Sequence, residues 1–420
     1  MLRYCICFGM LLWPALVQAQ DMARIKKNID TLCSPAMHGR GYVNKGDLVA
    51  ASFIGEQFRQ MGLKSFGTTF LQYFPLDINT FPKKVKLQID KQTLTPGKDY
   101  IVNPVSAKGK GSGKIVYLDT LIFTQEQARQ KFLQTDFRKN ILVYQSKHQN
   151  KLLELPGEYL NKMHEARALI ELHPEKLTAS LSNKQQSHPA FEMVSKTLPS
   201  NASKAKFRLD ATLISNYQSQ NVIGYISGKT RPDSFIVVSA HYDHLGRMGN
   251  KTYFPGANDN ASGTSMLLEL AHYYSLPENQ PEYSMAFIAF GAEEAGLIGS
   301  RYYTQHPLFP LAEIKFMINL DLVGTGDDGI TVVNSVALPR EFNLLTQINQ
   351  EKGYVSKVNK RANAPNSDHY FFVSKGVKAV FIYTLGGIKA YHDVYDRPET
   401  LPLTKYTQLF GLLTDFIRVL

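Results

Sequence analysis

Seven side chains able to hold or serve a divalent metal are spread over five short motifs in the C-terminal half of the chain. His241 and Asp243 lie in Ser239-Ala-His-Tyr-Asp-His-Leu-Gly246, and Asp259 in Gly256-Ala-Asn-Asp-Asn-Ala-Ser-Gly263. Glu293 and Glu294 follow in Phe290-Gly-Ala-Glu-Glu-Ala-Gly296, then Asp321 in Asn319-Leu-Asp-Leu-Val-Gly324 and His392 in Tyr391-His-Asp393. Imidazole and carboxylate without thiolate suit Zn²⁺ better than softer metals, with Mn²⁺ or Co²⁺ as substitutes. The mixture points to two divalent ions and to hydrolysis.

The residue types suggest a division of labour. Asp259, in a loop of small residues, could bridge two ions with its two oxygens. His241 and Asp321 could complete one site, and Glu294 and His392 the other. Asp243, two residues after His241, could accept the imidazole's second N–H and fix its tautomer. Adjacent side chains diverge in an extended or turning backbone. Glu294 can therefore ligate while Glu293 faces a metal-bound water as general base and passes the proton to a leaving amine. Tyr391 could donate its hydroxyl to the developing oxyanion. The same anionic cluster could hold a free α-ammonium group, which favours exopeptidase over endopeptidase action on peptides with a free N-terminus. Ser367-Asp-His369 reads as cleft wall rather than ligand, and His38 as an incidental loop histidine.

Taken singly, these motifs have duller readings: a structural His–Asp pair, a solvated Glu-Glu helix start, a capped turn. Their placement argues otherwise. Ser234–Ala240, Tyr283–Phe290, Lys315–Leu320 and Val377–Tyr383 are near-continuous apolar runs, as in strands buried on both faces, with helical patterns such as Ser262–Tyr274 between them. Three of these runs end at or just before a candidate ligand. In open α/β sheets, ligands bind beyond the carboxyl ends of strands. The expected fold is therefore α/β: a mixed, largely parallel sheet flanked by helices. Met22–Leu32 and Leu48–Met61 also read as helices, with Gly62 placed to stop the second.

Between residues 78 and 215 the texture changes. Short β-like runs at Lys84–Ile89, Lys114–Leu118 and Asn140–Tyr144 alternate with Lys/Gln/Ser-rich segments, and a helical stretch, Glu158–Ala166, precedes the apolar run Ala168–Leu172. This reads as a β-rich module inserted into a main domain made of residues 20–77 and 216–420.

Composition bounds the rest. With 420 residues and 44% hydrophobic content the chain can bury a large core. Residues 1–19 have a basic end, a short apolar run interrupted by Pro14 and the small-residue ending Val-Gln-Ala19, the pattern of a secretory signal rather than an anchor. Loss of that segment removes Cys5 and Cys7 and leaves Cys33 alone, so no intrachain disulfide is expected. The net charge of +11 belongs to the N-terminal half, since residues 231–420 carry about 16 Lys and Arg against about 19 Asp and Glu. Without a zinc finger, a helix-turn-helix pattern or a basic stripe interleaved with aromatics, nucleic-acid binding has no support. The expected location is periplasmic or extracellular.

In wording and order these motifs resemble the zinc exopeptidase superfamily that contains aminopeptidase Y, bacterial leucyl aminopeptidases, glutamate carboxypeptidase II and glutaminyl cyclases. The resemblance extends from Met37-His-Gly-Arg-Gly41 through Asn221-Val-Ile-Gly-Tyr-Ile226 to Tyr395-Asp-Arg-Pro-Glu-Thr400. It implies His241 and Asp321 on one zinc, Glu294 and His392 on the other, Asp259 bridging, Glu293 as base and Tyr391 as oxyanion partner. The segment 78–215 resembles a divergent protease-associated domain. Tyr rather than Trp before His392, and Glu-Glu-Ala-Gly-Leu-Ile-Gly-Ser300, are closer to the di-zinc aminopeptidases than to the aminoacyl cyclotransferases. The same ligand set would also serve a carboxypeptidase of that superfamily. A non-catalytic binding scaffold, by contrast, should have lost a ligand or the base, and this sequence keeps all of them.

Overall fold

The computed structural model describes residues 20–420; the expected signal segment lies outside them. Two eight-stranded sheets organise the described chain. The first runs, in spatial order, Leu71–Thr80, Thr212–Ile226, Tyr283–Phe290, Arg231–His241, Ile314–Leu320, Ala379–Thr384, Ile330–Val333 and Val358–Arg361. Its four central strands, Tyr283–Phe290 to Ala379–Thr384, are mutually parallel, and antiparallel pairings flank them. The sheet is thus mixed, with a parallel centre.

Those central strands are the apolar runs of the sequence, and they are apolar because helices cover both faces. On one face Met22–Leu32, Gly46–Gln60, Gly263–Ser275 and Tyr406–Val419 pack against Ile236, Val238, Phe287, Phe316 and Ile318. On the other, Ile298–Gln305 and His369–Ser374 contribute Tyr303 and Phe372 to a core with Val237, Ile288 and Met317. Successive residues of one strand, such as Val237 and Val238, therefore serve different cores. The helix Gly46–Gln60 stops where Gly62 takes a left-handed φ of +75°.

The second sheet is built wholly from strands between Val85 and Leu209, in the order Gln92–Thr93, Val85–Ile89, Lys204–Leu209, Gly109–Tyr117, Asn140–Gln145, Ala168–His173, Ala190–Val194, Tyr100–Val102. It has its own core around Leu87, Ile141, Ile170 and Phe207, and the helices Glu126–Gln134 and Gly157–His164 pack on one face through Phe132 and Met163. The first sheet reaches further into this segment than residues 78 and 215. Leu71–Thr80 and Thr212–Ile226 stay paired out to Thr80↔Thr212, so their outer ends carry the chain from one sheet to the other. Among the described residues, no helix is long and apolar enough to cross a membrane.

Candidate metal centre

Three strands deliver the site. Arg231–His241 ends on His241, Tyr283–Phe290 leads through Gly291 and Ala292 to Glu293, and Ile314–Leu320 is followed directly by Asp321. The chain turns sharply at two of these exits, where Ala292 and Leu322 hold left-handed φ values of +57°, and His392, in a later loop, holds one of +53°. Such conformations are costly for residues with a Cβ and concentrate at functional sites.

Asp259 stands at the centre. Its Oδ1 lies 3.3 Å from His241 Nε2, and its Oδ2 lies 3.1 Å from His392 Nε2. Asp321 Oδ1 is 3.3 Å from the same His241 nitrogen, and Glu294 Oε2 is 3.0 Å from His392 Nε2. Four ligands on a tetrahedral ion at ~2.0–2.1 Å sit about 3.3 Å apart, and these separations match that edge. Asp321 Oδ1 is buried without a hydrogen-bond partner, as a metal-ligating oxygen would be. Five carboxylates (Asp243, Asp259, Glu293, Glu294 and Asp321) converge here on the two imidazoles that face Asp259. Protonating both rings would not balance the acids, so the donor set fits divalent cations.

Protonation equilibria carry the same signature. Burial alone would push the His241 imidazole down, but Glu293 and Asp321 over-compensate and hold it well above the usual histidine range. Burial also opposes charge on His392, which Glu294 and Asp259 lift to about 11. Burial pushes Asp259 up, yet its two histidines draw it far below the carboxylate range. For Glu294, burial and Asp259 push up while His392 and His244 pull the carboxyl down to about 2. Glu293 goes the other way: burial, with Asp368, Glu294 and Asp321, outweighs His241 and drives it well up.

The Glu-Glu pair diverges. Glu294 faces His392, while Glu293 Oε2 approaches His241 Nε2 at 4.0 Å and lines an open cleft of about 310 Å³ with Asp321, Tyr391 and His392. Tyr391 is 42% exposed and stacks on the His392 ring at 4.0 Å between centroids, so its hydroxyl borders the cleft rather than the protein interior. Asp243 departs from expectation. His241 Nδ1 faces the main-chain oxygen of Asp243 at 3.3 Å, and the nearer carboxylate oxygen is 3.7 Å away, too far for a hydrogen bond. The carboxylate instead accepts the amides of Glu293 (3.0 Å) and Glu294 (3.3 Å), because the chain leaving Phe290 turns its N–H groups toward it. Asp243 therefore fixes the Glu-Glu loop, and a main-chain carbonyl orients His241.

Several supporting residues carried no strong signal in sequence. Arg40 is fully buried and donates from Nε, Nη1 and Nη2 to the carbonyls of Tyr242 (2.7 Å), Leu32 (2.9 Å), Pro255 (2.6 Å) and Gly256 (2.7 Å), tying the His241 turn to the Asp259 loop. Gly256, at φ +60°, leaves room for that guanidinium; a Cβ there would strike Arg40 Nη2 and the Asp259 carbonyl. Asp396 accepts the amides of Asn258 (2.8 Å) and Asp259 (3.0 Å). His244 Nδ1 lies 2.7 Å from Glu294 Oε1. His244, Asp259 and Glu294 are also close enough to form a ligand group. The 2.7 Å contact is a hydrogen bond, however, whereas His392 sits at ligand-edge distances from both acids, so His392 is the better ligand and His244 the support. Ser367 Oγ donates to Asp321 Oδ2 at 3.0 Å, which places that motif behind the ligands. His38 pairs with Arg247 and does not line the cleft.

A parallel-centred α/β sheet with acids and imidazoles gathered beyond its strand ends is the zinc exopeptidase fold. Residues 221–417 match the family described as Peptidase family M28. The chain is 44% identical over 116 residues to aminopeptidase YwaD of Bacillus subtilis (strain 168), covering 26% of this chain and 23% of that protein. It is 36% identical over 113 residues to a probable zinc metalloprotease of Pyrenophora teres f. teres (strain 0-1), again 26% and 23%. The match thus spans about a quarter of the length of these curated relatives. The solved structure of BSAP, a zinc aminopeptidase from Bacillus subtilis, superposes with a TM-score of 0.69 at 21% identity, covering 95% of this chain and 94% of that one.

Proposed function

We propose that this chain is an exported di-zinc aminopeptidase that removes N-terminal residues from peptides. In this reading His241, Asp259 and Asp321 hold one ion, and Asp259, Glu294 and His392 hold the other. The observation that carries it is the orientation of Asp259, one oxygen toward each histidine. Bound as a pair, the zinc ions supply Lewis acidity to the scissile carbonyl and acidify the attacking water.

The remaining chemistry belongs to the protein. Glu293, which lines the cleft with Oε2 4.0 Å from His241 Nε2, takes the water's proton and delivers it to the departing amine. Tyr391, at the rim, is placed to donate its hydroxyl to the oxyanion. The acids around the cleft suit an α-ammonium group, which favours a free N-terminus. Asp243 and Arg40 hold the two loops in register, so the acids meet in one place. Export rests on residues 1–19 and agrees with a described chain whose lone cysteine, Cys33, is buried.

Release of amino acids from aminoacyl amides, stopped by a chelator and restored by zinc, is the test. A well-folded, zinc-supplied sample that releases none, or that cyclises N-terminal glutamine without release, removes the proposal.

A further inference from the structure

The cleft has a second wall that the proposed reaction does not use. Beside Asp321, the strand Ala379–Thr384 presents Phe381 and Tyr383, with ring centroids 5.3 Å apart, and both line the cleft. Arg361, which closes the edge strand Val358–Arg361, reaches across Ile330–Val333 so that its Nη1 donates to Tyr383 Oη at 3.1 Å. Its backbone is pinned at the amide by Ser335 Oγ, 3.1 Å away. Asn366 borders the same space. Among the described residues this phenol is the only side chain that Arg361 hydrogen-bonds through its guanidinium, and it forms no ion pair.

The Arg361 side chain is exposed at the cleft edge, directed there by its hydrogen bond to Tyr383, and it has no carboxylate partner beside a cluster rich in acids. Those acids face Asp259 and the two histidines, and among the described residues Arg361 is the one Lys or Arg side chain lining the cleft. Its free N–H groups form the planar fork that pairs bidentately with a carboxylate. With acids at one wall and this fork at the other, the cleft is polar in the sense of a zwitterion: ammonium to the first, carboxylate to the second.

We infer that Arg361, aided by Asn366, forms a carboxylate-binding subsite that selects peptides bearing an acidic group close to the scissile bond. The inference rests on the proposed aminopeptidase reading and names its substrate class. The carboxylate has two sources, the side chain of an N-terminal Asp or Glu, or the free C-terminus of a very short peptide.

The experiment compares zinc-loaded wild type with Arg361→Met and Arg361→Lys on four substrates: Leu-amide, Glu-amide, Leu-Gly and Leu-Gly-amide. Arg361→Met should lower kcat/KM about tenfold or more on the carboxylate-bearing substrates, as expected for loss of a charge-assisted pair, and leave Leu-amide within about twofold. Arg361→Lys should recover part of the loss. A drop on Glu-amide alone assigns the side chain, and a drop on Leu-Gly but not Leu-Gly-amide assigns the C-terminus. Equal change on all four substrates, or on none, overturns the subsite.

Calorimetric titration with Leu-Gly and Leu-Gly-amide separates this inference from the reaction itself. Preferential binding of Leu-Gly that disappears in Arg361→Met supports the subsite even if wild type hydrolyses nothing, an outcome that would remove only the proposed activity. Equal binding of the two ligands by a wild type that also shows no preference for Glu-amide overturns the subsite.

Discussion

The main-chain carbonyl of Ala179 lies 3.0 Å from Nδ1 of His392, and the Ala179 N–H donates back to the His392 carbonyl at 2.9 Å. Ala179 belongs to the segment that carries the second sheet, and His392 closes the candidate centre. Lys176 reinforces the joint, with Nζ 3.0 Å from Asp393 Oδ2 and 5.9 Å above the Tyr391 ring. The ring nitrogen that faces away from Asp259 is thereby held by a residue far from the ligands in sequence. Outer partners of this kind fix an imidazole's tautomer and direction.

Ala179→Pro removes the returning N–H and displaces the carbonyl. It should weaken zinc binding about tenfold or more in competition with a chromogenic chelator, while melting of the metal-free protein changes little. Unchanged zinc affinity would show that His392 needs no such support.

Glu293 and Glu294 should separate cleanly. Glu293→Gln keeps the ligands and should retain both metals while losing turnover by about 10²–10⁴-fold, the range for a general base. Glu294→Gln should lose metal. Equal metal loss in the two variants, measured by elemental analysis, would contradict the assigned roles.

Arg40→Met leaves the buried carbonyls of Leu32, Tyr242, Pro255 and Gly256 without this donor. Each such orphan costs about 1–3 kcal/mol, so the variant should melt far below wild type or fail to fold, and added zinc should not restore it. A melting temperature near that of wild type would refute the role given to Arg40.

The second sheet supplies a pH test away from the metal. Glu192 is pushed up to about 7, first by burial and then by Glu171, against a hydrogen bond from Asn103. A carboxyl with a raised folded pKa favours the fold below its unfolded value near 4.5, and that advantage is lost as pH rises through about 7. Stability should therefore fall over this window by up to about 3 kcal/mol. Glu192→Gln, a neutral isostere, should flatten the profile in denaturant melts taken from about pH 4 to 8. The same slope in the variant would exclude Glu192 as its source.

Much of this was legible because the site hangs on strand ends. The run Tyr283–Phe290 is read directly from its apolar residues, and three of the candidate ligands, His241, Glu294 and Asp321, stand at or soon after the ends of such runs. What stayed hidden depends on contacts between distant segments. Arg40 looks like any loop arginine until the His241 turn and the Asp259 loop close around it. Asp243 lies two residues from His241, so a side-chain pairing is the natural expectation; the turn after the strand instead offers the imidazole a main-chain carbonyl and the carboxylate two amides. Arg361 ends a short, weakly apolar edge strand, and only the pairing across Ile330–Val333 carries it to Tyr383. The reach of Leu71–Thr80 past residue 78 is hidden in the same way, since its polar outer residues pair only with the returning strand.

The central claim is that one carboxylate joins two zinc sites, and zinc stoichiometry tests it most directly. Metal-free protein titrated with zinc should take up two equivalents per chain, and Asp259→Asn should weaken both together, because each ion loses an oxygen. Uptake of one equivalent by wild type, or two tight equivalents retained by Asp259→Asn, would contradict the account.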